Sequence, residues 1–374
     1  MTRLSALLLV SAMAASGAVR ADEAAPTAPS APADKADAPA TPAASGAPAE
    51  AVPEPPCPVK EVCDLPPLAT VNWIGPRVDL DALFGQAILL VFVESWCPKC
   101  NEWAPDMAKQ VQEAAAKQPA TIIYLGVGMA KAEMQSYMER MKLEGHAAGV
   151  VPKVVAWEVG LARTLWNVVV IDTKGRRVVR GTFGTYRKTS AGKMLGNKFA
   201  LDMPRYCEGS APIVEAPESP VLKKADLAVR LGLYGTALAL LEKAGDAGAE
   251  ARSRLAARGQ KMFDAARAYE ASDPYMAYRL ATVAAREFKS APFAAEARTM
   301  ALRLAKDKQV RREKTADGAL VKILAMASGR ADDEAVKGAL AQVAGRFADC
   351  RGGRVAMRAL GRPSDRDVNP LWGN

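Results

Sequence analysis

Apolar residues follow two rhythms along this chain, and the change falls near Pro212. In the first rhythm they come as short continuous runs. Ala87 to Val93 has no polar break, and its core from Ile88 to Val93 predicts a central strand buried on both faces. Thr121 to Val127 predicts a second buried strand, and Val71 to Gly75 with Val78 to Leu83 a short strand pair leading inward. Pro152 to Trp157 reads as a further strand and Glu158 to Trp166 as a short helix. Asn167 to Asp172, the turn Asp172-Thr173-Lys174-Gly175 and Arg177 to Thr182 predict a hairpin. Two stretches between these runs carry helical spacing. Trp103, Met107 and Val111 recur every four residues, with Ala104, Ala108 and Ala115 beside them. Met134, Tyr137, Met138 and Met141 form a second stripe, read as core packing rather than a sticky binding face. Ser190 to Leu201 reads as a closing helix.

After Pro217-Glu218-Ser219-Pro220, a linker by composition, only the helical rhythm remains. Leu227, Leu231, Leu238 and Leu241 keep it first, then Ala277, Leu280, Ala284 and Phe288, then Leu320, Ile323 and Leu324. A weak repeat runs through it. Ala285-Arg286-Glu287-Phe288, with Ala297 nine residues on, matches Ala344-Gly345-Arg346-Phe347 with Ala356 nine residues on. Leu233-Tyr234-Gly235-Thr236-Ala237-Leu238 resembles the turn between the paired helices of a tetratricopeptide-like unit. Stacked helix pairs make interaction surfaces, which implies a protein partner of unidentified kind for this part of the chain.

Composition adds boundaries to this picture. The chain has 374 residues, half of them apolar, so more than one domain and a sizeable core are expected. The formal net charge of +9 lies mostly after residue 220, within predicted helices such as Lys306 to Lys314. No nucleic-acid motif accompanies it, so it reads as a solvated helical face and not as a nucleic-acid site. At the start, Arg3, the apolar Leu4 to Val19 and a small-residue site at Ser16-Gly17-Ala18 or Val19-Arg20-Ala21 read as a cleaved signal peptide over residues 1–21. That stretch is shorter than the ~20 residues of a membrane span, so no permanent span is expected and the location is periplasmic or secreted. Residues 22–56 are almost all Ala, Pro, Ser, Asp and Glu, with Val52 the one large aliphatic, and read as a disordered Ala/Pro-rich tether.

The chemistry concentrates at Trp96-Cys97-Pro98-Lys99-Cys100. An apolar strand precedes it and a helix starts within it. A helix N-terminus offers unpaired N–H groups and partial positive charge, which favour thiolate over thiol. Pro98 falls in the first helical turn, where its missing N–H is harmless; Pro105 falls inside the helix and kinks it. Asn101 follows Cys100, so a Cys-x-x-Cys-His haem attachment site is absent. A zinc site would need two further ligands, and a purely structural disulfide is the plainer competitor to a reactive pair. The single histidine, His146, argues against Cys/His nucleophilic catalysis. Of the other cysteines, Cys57 and Cys63 flank a short loop that a disulfide could clip, or form a second redox pair. Cys207 and Cys350 could bridge the two parts of the chain.

Val91-Phe92-Val93-Glu94-Ser95-Trp96-Cys97-Pro98-Lys99-Cys100, with Pro105 eight residues after Cys97, resembles the thioredoxin superfamily and its exported TlpA/ResA-like thiol–disulfide oxidoreductase branch over residues of about 65–205. The resemblance implies that Cys97 attacks a substrate disulfide and Cys100 resolves the mixed disulfide, with no cofactor and no metal. It further implies extracytoplasmic protein thiols and disulfides as partners, in reduction or isomerisation. A cis-proline is implied immediately before the hairpin; Trp166 aligns there, and Pro152 lies earlier. The expected architecture is an α/β thioredoxin-like domain at 57–205, a linker at 206–220 and an all-α helical-repeat domain at 221–374. The competing reading is a redox-inert thioredoxin-like scaffold or protein-binding module.

Overall fold

The computed structural model describes residues 71–95, 101, 105, 108–109, 112–113, 118–143, 146–152, 167–173, 177–182, 203–215, 217–327 and 334–361. The signal segment, the tether, Cys57, Cys63, the Trp96–Cys100 motif, Trp166 and the expected closing helix lie outside them.

Among the described residues, six strands form one mixed sheet in the order β1-β4-β3-β2-β5-β6. They are β1 (Asn72–Ile74), β2 (Ala87–Val93), β3 (Ala120–Val127), β4 (Ala147–Val151), β5 (Asn167–Ile171) and β6 (Arg177–Thr182). The strands β2, β3 and β4 run parallel; β1 joins β4, and β5 joins β2, antiparallel. β5 and β6 make the expected hairpin, with one register shift between Val170 and Ile171. Every residue of β2 and β3 is buried, as their unbroken apolar runs require. Alternate residues of β2 serve two clusters. Leu89, Val91 and Val93 pack with the buried stripe Met134, Tyr137, Met138 and Met141 of helix α1 (Lys131–Met141). Ile88, Leu90 and Phe92 belong to a contiguous cluster that also takes in Leu320, Leu324, Phe347 and Val355 from the second half of the chain.

One strand assignment is corrected. Leu80–Leu83 is a 3₁₀ turn and not the second strand of a pair, because Asp79 caps it, accepting from the Asp81 N–H at 3.0 Å. β1 pairs instead with β4. A strand that was not expected, Ala147–Val151, ends just before Pro152; the strand expected over Pro152 to Trp157 and the helix over Glu158 to Trp166 lie, beyond Pro152 itself, outside the described residues. Gly149 is needed in β4, since a Cβ there would lie 2.3 Å from Val71 Cγ1.

The second half is all helical: α2 (Pro220–Arg230), α3 (Tyr234–Lys243), α4 (Ala249–Tyr269), α5 (Pro274–Glu287), α6 (Ala294–Leu304), α7 (Lys308–Met326), α8 (Glu334–Arg346) and α9 (Arg351–Gly361). Ser219 and Asp273 cap α2 and α5 with a proline at the first helical position, and Asp307 caps α7. Phe288 and Phe347, each just past its helix, are buried, as are Ala297 in α6 and Ala356 in α9. The fold is therefore an α/β part built on one mixed sheet, followed by an all-α part.

The described residues from Val71 onward belong to one compact unit. Polar contacts fasten its sheet to its helices. Arg279 of α5 holds Asp81 through two hydrogen bonds, and Arg286 reaches Asp79 at 3.2 Å. The Tyr234 hydroxyl donates to the Ala82 carbonyl and accepts from Gln86 Nε2 and Arg258 Nε, each at 3.0 Å. Arg230 donates to the carbonyls of Gln118 and Ala120 at the start of β3. Within the expected linker, Cys207 packs into the α/β cluster and Val214 into the helical one.

Gly232, between α2 and α3, has φ +73°, and a Cβ there would lie 2.9 Å from that of Ala82. Gly232→Ala is expected to destabilise the protein by about 1–2 kcal/mol. Urea denaturation checks this, and an unmoved midpoint would contradict it.

Candidate active site

Three parallel strands end at one edge of the sheet, with Val93 of β2 beside Gly126 of β3 and Val127 beside Val151 of β4. Chain segments leaving this edge are the usual place for chemistry in α/β sheets. Ser95 leaves β2 here, and by sequence Trp96–Cys100 follows it directly. Cys97 and Cys100 themselves lie outside the described residues; their two flanks do not. Asn101 is helical and partly buried, and its Nδ2 donates to the Ser95 carbonyl at 2.7 Å. The Ser95 hydroxyl donates to Glu133 Oε1, in the first turn of α1. Glu133 Oε2 in turn accepts from the Ala130 N–H at 3.3 Å, satisfying one donor at the start of α1. Pro105 is helical and exposed, and Ala108 is buried against the sheet. Among the described residues there is no cis peptide bond.

Glu133 and Asn101 were not singled out from the sequence. Glu133 stands 38 residues from Ser95, and nothing local to Ala130–Glu133 signals the contact. Asn101 figured only as the residue that is not a haem-site histidine.

The two described cysteines are free and buried, so they do not bridge the chain's two parts. Burial pushes the Cys207 thiol up to about 11, against the opposing pull of Arg230. Burial, with the Glu313 and Asp349 carboxylates, pushes Cys350 up to about 11. Both therefore stay protonated near neutral pH and are poor nucleophiles.

His146 sits at the opposite end of the strands, just before β4 and beside the start of β3. It lines a cavity of about 400 Å³ with Thr121, Ile122, Leu227 and Arg230. Its ring meets the Tyr124 edge at 5.8 Å between centroids. Burial, and next the Arg230 guanidinium, lower its pKa to about 4, so the imidazole is neutral at pH 7. Among the described residues, no group of three or more His, Cys, Asp or Glu side chains is placed to hold a metal ion. Nor is any helix among them long and apolar enough to cross a membrane.

No family model matches the chain, and no curated protein matches it significantly. Solved structures do. The dsbF protein of MTB is 18% identical over 37% of this chain and 97% of its own, with a TM-score of 0.29. A secreted Mycobacterium tuberculosis disulfide oxidoreductase homologous to E. coli DsbE is 20% identical over 34% of this chain and 87% of its own, with a TM-score of 0.25. A thiol:disulfide interchange protein of the thioredoxin family from Chlorobium tepidum is 18% identical over 39% of this chain and 94% of its own, with a TM-score of 0.27.

Proposed function

We propose that this chain is an exported thiol–disulfide oxidoreductase acting on extracytoplasmic protein disulfides. The observation that carries the reading is the placement of the motif's flanks. Ser95 leaves the C-terminal edge of a parallel sheet, and Asn101 is already helical six residues later. Cys97 and Cys100 fall by sequence between them, where a helix start favours a thiolate. The Cys97 thiolate attacks one sulfur of a substrate disulfide, forming a mixed disulfide and releasing the other sulfur as a thiolate. Cys100 then attacks Cys97 Sγ, so the substrate leaves fully reduced and the two electrons it gained leave a Cys97–Cys100 disulfide. An external thiol must reduce that disulfide for turnover. Export rests on residues 1–21, with residues 22–56 as a tether before a thioredoxin-like domain at 57–205. The helices beyond residue 220 serve as a tetratricopeptide-like surface for a partner protein, a role supported by the matching positions of Phe288 and Phe347.

The shared apolar cluster of sheet and helices favours a second reading, in which the α/β part is a redox-inert scaffold for that surface. Insulin reduction with dithiothreitol separates the two. The wild-type protein is expected to accelerate precipitation of insulin chains, and the Cys97→Ser/Cys100→Ser variant to match the uncatalysed rate. Equal rates for both proteins would leave only the scaffold.

A further inference from the structure

Both halves of the chain line the cavity of about 400 Å³ beside His146. Ile122 of β3, Ala147 of β4, Leu227 of α2 and Leu231 just past it give the cavity apolar wall, and His146, Asp226 and Arg230 bring polar groups to it. Packed interiors leave few voids larger than a water molecule, and an apolar cavity of about 150 Å³ is enough to take up benzene. A space of this size therefore has room for two fused rings, and it falls within the about 300–1,000 Å³ usual for small-molecule sites.

Most of the polar lining is already engaged. Arg230 donates to Asp226 at 2.8 Å and to the Gln118 and Ala120 carbonyls. The Thr121 hydroxyl is held between Gln86 Oε1, at 3.1 Å, and the Arg230 carbonyl. His146 differs: its ring meets the Tyr124 edge, but neither nitrogen makes a hydrogen bond to a described residue. Burial and the Arg230 charge keep that ring neutral at pH 7, so it offers one N–H donor and one bare nitrogen. This lining selects among ligands by charge. A carboxylate would leave water for a cavity whose guanidinium is already committed, and an ammonium would meet the positive field that disfavours a proton on His146. An uncharged hydroxyl can donate to one imidazole nitrogen or accept from the other, while an apolar body covers Ile122, Leu227 and Leu231. We propose that this cavity binds an uncharged, largely apolar molecule of about two fused rings, its single hydroxyl hydrogen-bonded to His146. Because β3, β4 and α2 all contribute to the lining, such a ligand bridges the sheet and the first of the later helices, and it stabilises the folded chain by mass action.

The single histidine gives the cavity its own reporter. The NMR signals of the His146 ring protons, in the untagged full-length chain at neutral pH, are followed during titration with naphthol, naphthalene and naphthoate. These probes share one ring system and differ in its polar group. Naphthol is expected to move the signals saturably. Naphthalene should bind about three- to tenfold more weakly, the loss of one net hydrogen bond, and naphthoate at least about tenfold more weakly. His146→Phe keeps a ring but removes both nitrogens. Followed by naphthol fluorescence, it is expected to bring naphthol down to the affinity of naphthalene and leave naphthalene unchanged. Leu227→Trp fills the cavity and is expected to abolish binding of all three with the far-UV circular dichroism of wild type; should that variant fail to fold, His146→Phe and the wild-type titrations still decide. Tightest binding of naphthoate would assign the cavity to anions and overturn the proposal. Equal affinities for naphthol and naphthalene would overturn the role of His146, and ring signals unmoved by any of the three would remove the site altogether.

Discussion

Asp81→Ala is expected to destabilise the protein by about 3–5 kcal/mol, the range for breaking a buried ion pair from one side. Asp81 lies in the 3₁₀ turn before β2 and Arg279 in α5, 198 residues apart, and both side chains are more than four-fifths buried. Burial opposes the charge on Arg279, yet the facing Asp81 carboxylate more than offsets it and holds the guanidinium's pKa above its ordinary value. Removing Asp81 leaves that guanidinium buried with the weakly accepting Met276 sulfur at 3.9 Å, the Tyr275 ring at 5.6 Å and the field of Asp317. The reverse change, Arg279→Ala, strands the carboxylate and is expected to cost a similar amount. Asp81→Leu/Arg279→Met, which removes both charges, should recover most of the loss. Urea denaturation followed by far-UV circular dichroism measures all four proteins. If sheet and helices unfold together, the midpoint falls while the slope stays constant. A loss below about 1 kcal/mol in both single variants would mean that the pair behaves as a surface salt bridge.

Much of the α/β half was legible because its signals are local. β2 and β3 are unbroken apolar runs, β5 and β6 are two apolar-rich runs either side of a turn-forming sequence, and α1 shows its buried face as Met134, Tyr137, Met138 and Met141. β4 was not legible. Its sequence, Ala147-Ala148-Gly149-Val150-Val151, is poor in strand-forming residues, and its glycine answers to Val71 across the sheet, a contact no local window contains. The 3₁₀ turn was misread for a related reason, since the apolar residues Val78, Leu80 and Leu83 outweighed the cap supplied by Asp79. At the candidate site the sequence offers the Cys-x-x-Cys pair but not the contacts made by its flanks. Ser95–Glu133 and Asp81–Arg279 are long-range pairings of residues that look ordinary where they stand. The same limit applied to Cys207 and Cys350, whose separate burial depends on which core each segment joins.

The single histidine makes a pH experiment clean. His146 has a pKa of about 4 in the folded protein, set first by burial and then by Arg230, against 6.5 for a free imidazole. Between those values the unfolded chain carries a proton on His146 and the folded chain does not. The unfolded state thus binds more protons, so stability must rise with pH through this window and fall as pH drops from about 6.5 toward 4. At about 1.4 kcal/mol per pH unit, the whole window is worth about 3 kcal/mol at most. The cavity beside His146 has its own cation in Arg230, whose guanidinium is committed to Asp226 at 2.8 Å and to two carbonyls of the β3 start. An imidazolium formed there would face that cation across a partly apolar wall. His146→Asn removes the titrating group while keeping a polar side chain, and every carboxylate that contributes to acid unfolding remains in both proteins. Urea denaturation at intervals from pH 7 to pH 4 is therefore expected to show wild type losing about 2–3 kcal/mol more than the variant, nearly all of it below pH 6.5. Parallel stability curves for the two proteins would mean that His146 takes up its proton in the folded state as readily as in water.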